Sequence, residues 1–207
     1  MTDLSLLACY AHPDDEQGAT GTLRQCIEQG IRTALLCATR GEAGEISDPG
    51  LAVPETLGQV RELELRRALD VIGVPNLYFL DYRDSGMDGT PENRDPRAFI
   101  NADPDEAIGR IVKVIRAFKP TLMLTFDESG IYGHPDHLAI HRWTTAAFEA
   151  AGDPSRYVEV GAPFRPARLY YQPIPRRVFQ RMAAYMREAG IASVLNELPP
   201  DRFGLDD

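Results

Sequence analysis

Short apolar runs and stretches of helical periodicity alternate along the chain. Leu4–Tyr10 reads as a fully buried strand, apolar on both faces. From Glu16 to Gln29 the pattern becomes helical, with Gly30 as the C-terminal stop. Ile31–Ala38 is a second predicted strand. Thr56–Ile72 is a predicted helix with Val60, Leu63, Leu69 and Ile72 on roughly one face, closed by Gly73 and Pro75. Asn76–Leu80 reads as a third strand and Asp105–Phe118 as a strongly amphipathic helix through Ile108, Ile111, Val112, Ile115 and Phe118. Thr121–Phe126 is a fourth strand and His137–Ala151 a helix. Beyond Gly152 the pattern weakens, with Arg168–Gln172 as a fifth strand and Val178–Ala189 as a helix ended by Gly190. Asp81 to Pro104 shows no periodicity, so a functional lid or a disordered segment is expected there.

Alternating strands and helices predict an α/β fold: a Rossmann-like three-layer domain, a mostly parallel sheet with helices on both faces. The 207 residues suffice for a single domain, 1–207, and are thin for two. Ligands of such sheets bind beyond the carboxyl ends of the strands. The loops 11–16, 39–45, 81–90 and 127–137 all leave such ends and should converge on one crevice.

Composition narrows the partners. The apolar fraction is 43% and the charged fraction 26%, ordinary for a soluble globular protein. A net charge of −9 argues against a nucleic-acid or anionic-membrane partner. No apolar run approaches the roughly 20 residues that span a bilayer. Met1-Thr2-Asp3 lacks the basic start of a secretory signal, and Cys9, Cys26 and Cys37 show no C-x-x-C pairing. A cytoplasmic protein with reduced thiols is expected. The two lysines, Lys113 and Lys119, lie in or beside one helix, leaving a Schiff-base mechanism few candidates.

The chemistry concentrates at two strand ends. Ala11-His12-Pro13-Asp14-Asp15-Glu16 follows the first strand, and Pro13 stiffens the frame between ligand-type residues. Tyr132-Gly133-His134-Pro135-Asp136-His137 follows the fourth. Three of the four histidines (His134, His137, His141) fall within eight residues, and the fourth is His12. Hydrolytic zinc sites use three ligands from His, Asp and Glu and leave a position for water. A His and a carboxylate from the first loop plus a His from the fourth would satisfy that count. Asp14, Asp15 and Glu16 also suit a helix start, where carboxylates meet the positive end of the dipole. The glycine-bearing loops match neither G-x-G-x-x-G nor a P-loop, so a nucleotide cofactor is unsupported.

Ala-His-Pro-Asp-Asp-Glu after the first strand, with His-Pro-Asp-His far downstream, resembles the LmbE/PIG-L family of zinc-dependent N-deacetylases. Arg83-Asp84-Ser85-Gly86-Met87 and Gly130–His137 are similar to its mycothiol branch, the GlcNAc-inositol deacetylase and the mycothiol S-conjugate amidase. The resemblance implies that His12, Asp15 and His137 bind one Zn2+, with Fe2+ as the alternative, and that Asp14 is the general base. It implies that His134 acts as acid or electrostatic donor, that Asp136 orients His134, and that Tyr132 donates to the oxyanion. Arg61, Asp84 and Glu42 would line the sugar site. His141 is not a ligand by family position and reads as a supporting or core histidine. The implied activity is removal of an N-acetyl group from an N-acetylglucosamine-type substrate, a small amino-sugar conjugate. Amidase action on a thiol conjugate, a metal-dependent phosphoesterase and a non-catalytic sugar-conjugate binder are the alternatives. Relatives of the mycothiol type resemble a chain that continues with a further strand and helix after Phe203–Asp207, which bears on the substrate pocket. Oligomeric state is not legible.

Overall fold

The computed structural model describes residues 4–191. Its frame is one five-stranded, all-parallel sheet in the order β3-β2-β1-β4-β5, built from β1 (Ser5–Tyr10), β2 (Arg32–Cys37), β3 (Asn76–Phe79), β4 (Leu122–Phe126) and β5 (Arg168–Gln172). β1 is central, and all six of its residues are buried, because helices cover both faces of the sheet. The edge strands β3 and β5 are only partly covered.

The strand order sets which helices share a face. From β1 the chain moves outward through α1 (Thr20–Glu28) to β2 and through α2 (Leu57–Ile72) to β3. It then returns through α3 (Pro104–Phe118) to β4, beside β1, and moves outward the other way through the single turn α4 (Gly130–Gly133) and α5 (Pro135–Ala150) to β5. Parallel crossovers are right-handed, so reversing the direction of winding places the later helices on the opposite face. Accordingly α1 packs with α2, and α3 with α5. The switch in direction falls between β1 and β4, where an open α/β sheet forms its binding crevice. A last helix, α6 (Arg176–Glu188), follows β5. The expected three-layer architecture is present.

Three expectations change. Leu63, placed on the buried face of α2, is 55% exposed, whereas Leu65, Leu69 and Ile72 are buried. At ~100° per residue Leu63 stands about 200° from Leu65 on the helix, so the two cannot share a face. The helix expected from Glu16 begins as a 3-10 turn, Asp15–Ala19, and turns α-helical only at Thr20. The segment 81–104 is packed onto the domain rather than disordered. Ala98 and Phe99 are fully buried, Arg83 bridges Ala98, and the Phe99 ring meets Trp143 edge-on at 4.5 Å and Tyr82 at 5.1 Å. One aromatic anchor holds the loop, and one anchor has no period to detect. The chain end at Phe203–Asp207 and the Met1–Asp3 start lie outside the described residues.

Candidate metal centre

The site forms where β1 and β4 end. After Tyr10 the chain turns sharply: Asp14 adopts a left-handed conformation (φ 98°), uncommon for a residue with a side chain. Two buried carboxylates hold that turn. Asp15 Oδ2 accepts the main-chain N–H groups of Ala11 (3.1 Å) and His12 (2.7 Å), and Glu16 Oε2 accepts that of Asp14 (2.9 Å). Glu16 is only 4% exposed, so it does more than favour a helix start: it fastens the strained residue beside it.

His12 is fixed from outside. Its Nε2 faces Asp136 Oδ2 at 3.0 Å and Asp84 Oδ1 at 3.5 Å. Burial alone would lower its pKa, but these two carboxylates and Asp15 more than reverse that. Two anionic acceptors keep the Nε2 proton in place and leave Nδ1 to point inward. His137 is arranged the other way round, its Nδ1 donating to the Gly130 carbonyl (3.1 Å) and its Nε2 pointing inward. Gly130 is needed there: its φ is 59°, and a Cβ would come within 2.8 Å of the His137 Cβ.

The inner nitrogens, His137 Nε2 and His12 Nδ1, then face each other at 3.3 Å, while His137 Nε2 lies 3.2 Å from Asp15 Oδ1 and His12 Nδ1 lies 3.6 Å from Asp15 Oδ2. Two ring nitrogens and a carboxylate this close need positive charge between them, supplied by a proton on His12 or by a bound cation. A tetrahedral ion with bonds of about 2.1 Å has edges of about 3.4 Å, which these separations match. Outer N–H groups on a carboxylate and a carbonyl are the usual supports of metal-binding histidines. The residues present therefore fit a metal ion, with His12, Asp15, His134 and His137 as nearby donors. Against the upward push of burial, the neighbouring His137 and His12 hold the Asp15 carboxyl down at about 2, so it is anionic throughout the neutral range. His134 lies close as well: ring nitrogens of His12, His134 and His137 fall within 4.8 Å of one another.

The remaining predicted residues divide. Asp14 stands at the cavity with its side chain 60% exposed; partial desolvation and the Asp15 charge raise its pKa, with Arg61 opposing. Arg61 does not pair with Glu62 or Glu64 on the helix surface. Its guanidinium crosses to Pro13 O (2.6 Å), Asp14 Oδ2 (3.1 Å) and Gly41 O (2.9 Å). Gly41, at φ 68°, makes room, since a Cβ there would overlap Arg61 Nη1. Asp84 lines the cavity beside His12. Glu42 is absent from the cavity walls; its Oε2 accepts the N–H groups of Arg40 (3.3 Å) and Asp84 (3.1 Å) and ties two loops together.

Asp136 departs from expectation. Its carboxylate contacts His12 and the Ser85 N–H (3.0 Å) rather than His134. What orients His134 is the Asp136 main-chain N–H, donating to His134 Nδ1 at 3.1 Å as α5 begins. Burial, then the charges of His12 and His137, push the His134 pKa down to about 4, outweighing the pull of Asp136. The imidazole is therefore neutral at pH 7, with its proton on Nε2. Tyr132 packs edge-on against the rings of His134 and His137, and burial with the surrounding carboxylates raises its hydroxyl pKa, so it remains a donor. His141 is no ligand: Nδ1 meets Phe126 O at 2.9 Å, and the ring packs on Tyr171.

His12, Asp14, Asp15, Arg61, Asp84, Tyr132 and His134 line a cavity of about 480 Å³, with Met87 and Phe179 also in its wall. Phe179, from α6, had no signal in the sequence. A buried aromatic on the apolar face of an amphipathic helix looks like any core residue.

Among the described residues no helix is long and apolar enough to cross a membrane. The chain is 42% identical over 222 residues to the 1D-myo-inositol 2-acetamido-2-deoxy-alpha-D-glucopyranoside deacetylase of Thermobispora bispora, covering 100% of this chain and 72% of that one. Its fold is similar to the N,N'-diacetylchitobiose deacetylase of Pyrococcus horikoshii (TM-score 0.65, 23% identity, 82% of this chain and 62% of that one). It is as close to a 4-carboxy-2-hydroxymuconate hydratase from Pseudomonas putida (TM-score 0.65, 20% identity, 92% and 91%). One fold thus carries different reactions, and the residues of the site must decide between them. A family model described as PIG-L, GlcNAc-PI de-N-acetylase, matches residues 7–148, which hold every residue of the centre. With the relatives at about 40% identity, this places the chain in the PIG-L family of de-N-acetylases.

Proposed function

We propose that the protein is a zinc-dependent N-deacetylase acting on a small N-acetylglucosamine conjugate, a cytoplasmic enzyme that binds one metal per chain. The observation that carries this reading is the pair of inward-facing imidazole nitrogens, 3.3 Å apart, closed by the Asp15 carboxylate and flanked by a second carboxylate, Asp14. An ion bound there supplies Lewis acidity, lowering the pKa of a water and polarising an amide carbonyl. The donor set of two nitrogens and one carboxylate suits zinc. Three reduced cysteines fit a cytoplasmic setting.

The chain's own residues then divide the proton transfers. Asp14 takes the proton of the attacking water at a carboxylate oxygen; its raised pKa suits a base, and Arg61 fixes its position. As the water oxygen bonds to the acetyl carbon, the carbonyl oxygen gains charge. Tyr132 Oη–H and His134 Nε2–H are the donors available to it in the cavity wall. A neutral His134 stabilises that charge by a hydrogen bond rather than as an imidazolium. The C–N bond breaks as Asp14 returns its proton to the leaving amine, giving acetate and the free amino sugar. Asp84 and Met87 offer a polar and an apolar contact to the sugar.

Two measurements test this together. Protein purified without added metal should carry about one zinc-like ion per chain. It should also release amine from 1D-myo-inositol 2-acetamido-2-deoxy-α-D-glucopyranoside. Absence of bound metal, or phosphate release from an ester panel with no amine release, would refute it.

A further inference from the structure

The catalytic cavity is not alone. A second cavity of about 530 Å³ adjoins it, and Asp14, Gly44, Glu45, Arg61 and Tyr132 line both. The base and the oxyanion donor therefore stand on the wall common to two chambers of similar size. Each is within the range of small-ligand pockets, about 300–1,000 Å³. The second chamber reaches no ligand of the metal centre. Its walls are α2 and the loop after β2. Leu57, Val60, Arg61 and Glu64 fall at i, i+3, i+4 and i+7 and so face it from one side of the helix. Ile46, Leu51 and Ala52 close the other side.

We propose that this chamber is a second substrate subsite. It takes the group attached to the amino sugar, and it selects uncharged or cationic groups over anionic ones. This rests on the deacetylase reading and names the substrate class for it. Leu51, Ala52, Leu57 and Val60 offer apolar surface to the C–H face of a ring or short chain. Glu45, Asp48 and Glu64 stand around it as acceptors for hydroxyl or ammonium donors. None of these three carboxylates has an ion-pair partner among the described residues. The one cation in the wall is Arg61, whose guanidinium is committed to Pro13, Gly41 and Asp14. A phosphate entering here would meet three negative charges with no free counter-ion, while a polyol or an amine would find hydrogen-bond acceptors. The neutral inositol glycoside named for the Thermobispora relative is of the admitted kind.

The test uses the full metal-loaded chain and three N-acetyl-α-D-glucosaminides that differ only in the aglycone: hydroxyethyl, aminoethyl and phosphoethyl. Amine release should give a kcat/KM about tenfold lower for the phosphoethyl compound than for the hydroxyethyl one, mainly through KM. The aminoethyl compound should equal or exceed the hydroxyethyl one. The double variant Asp48→Lys/Glu64→Lys changes two exposed side chains that line the second chamber and not the first; Asp48 also accepts the Gly50 N–H at 2.8 Å. It should remove or invert that preference while still turning over the hydroxyethyl compound, which also reports correct folding. Equal use of all three compounds by the wild type, or a ratio unmoved by the double variant, overturns the subsite. Amine release from none of the three overturns the deacetylase reading, and the subsite with it.

Discussion

Asp14 and Asp15 are neighbours with the same side chain in different surroundings; the proposed mechanism gives them different work, and isosteric amides separate the two. Asp14 is 60% exposed at its side chain and makes one ion pair, with Arg61. Pairs this exposed contribute between zero and about 1 kcal/mol, so Asp14→Asn should leave the fold intact. It should leave the metal too, since His12, Asp15 and His137 are untouched. What it loses is the proton acceptor, and general-base catalysis is typically worth about 10²- to 10⁴-fold. That corresponds to roughly 3–5 kcal/mol on the barrier. Asp15 is 9% exposed, with one oxygen on two main-chain N–H groups and the other 3.2 Å from His137 Nε2. In Asp15→Asn the remaining carbonyl can keep the N–H bonds of Ala11 and His12. The amide NH2 then points at the histidines and repels the ion. Metal content by elemental analysis and kcat by amine release read both effects. Asp14→Asn should hold about one metal with kcat down about 10²- to 10⁴-fold, and Asp15→Asn should hold little metal. The opposite metal contents would show that the two roles are reversed.

Three further outcomes follow from the same contacts. Glu16→Ala frees the Asp14 N–H, held at 2.9 Å, and should lower kcat with KM and metal content unchanged; Glu16→Gln, which keeps an acceptor, should recover most of it, and equal loss in both would refute the positioning role. Arg116 is 4% exposed and donates to the carbonyls of Ala151, Asp153, Arg156, Tyr157 and Gly161, binding the loop after α5 to α3. Arg116→Met should cost about 3–5 kcal/mol in urea unfolding, because five carbonyls lose a charged donor; a loss under 1 kcal/mol would contradict this. Burial raises all three thiols, Cys9 to about 12 and Cys37 well above its usual value, but Cys26 alone is only half-buried. A raised thiol pKa means less thiolate at a given pH, about one part in ten thousand for Cys9 at pH 8. A thiol reagent at pH 8 should therefore modify Cys26 alone in the native protein and all three cysteines in denaturant; native modification of Cys9 at the rate of Cys26 would argue against that burial.

The sequence by itself determined the alternation of strands and helices, hence the layers, and the two ligand-bearing strand ends, because apolar period and residue type are local properties. It also supported the parallel arrangement, since strands separated by helices can pair only through crossovers. It failed where information is carried by single residues or by direction. Phe99 as an anchor of 81–104, Phe179 as part of the cavity wall and Leu63 on the solvent side of α2 all depend on what lies opposite.

Within the site, His12, Asp14, Asp15, His134, Asp136 and His137 were legible as a set of chemical types. Which atom faces which was not. That Asp136 supports His12 by its carboxylate and His134 by its main-chain N–H follows from its place in the first turn of α5, which aims its amide and its side chain at different neighbours. That Glu16 locks Asp14, and that Arg61 reaches across from α2 to hold the base, requires β1, β2 and α2 to be brought together. The residue types could be read along the chain because side-chain chemistry belongs to each residue alone. The ring nitrogen left free on each histidine, the pKa each group acquires and the second chamber beside the catalytic one were decided by tertiary structure, because all three depend on neighbours that the chain supplies only once folded.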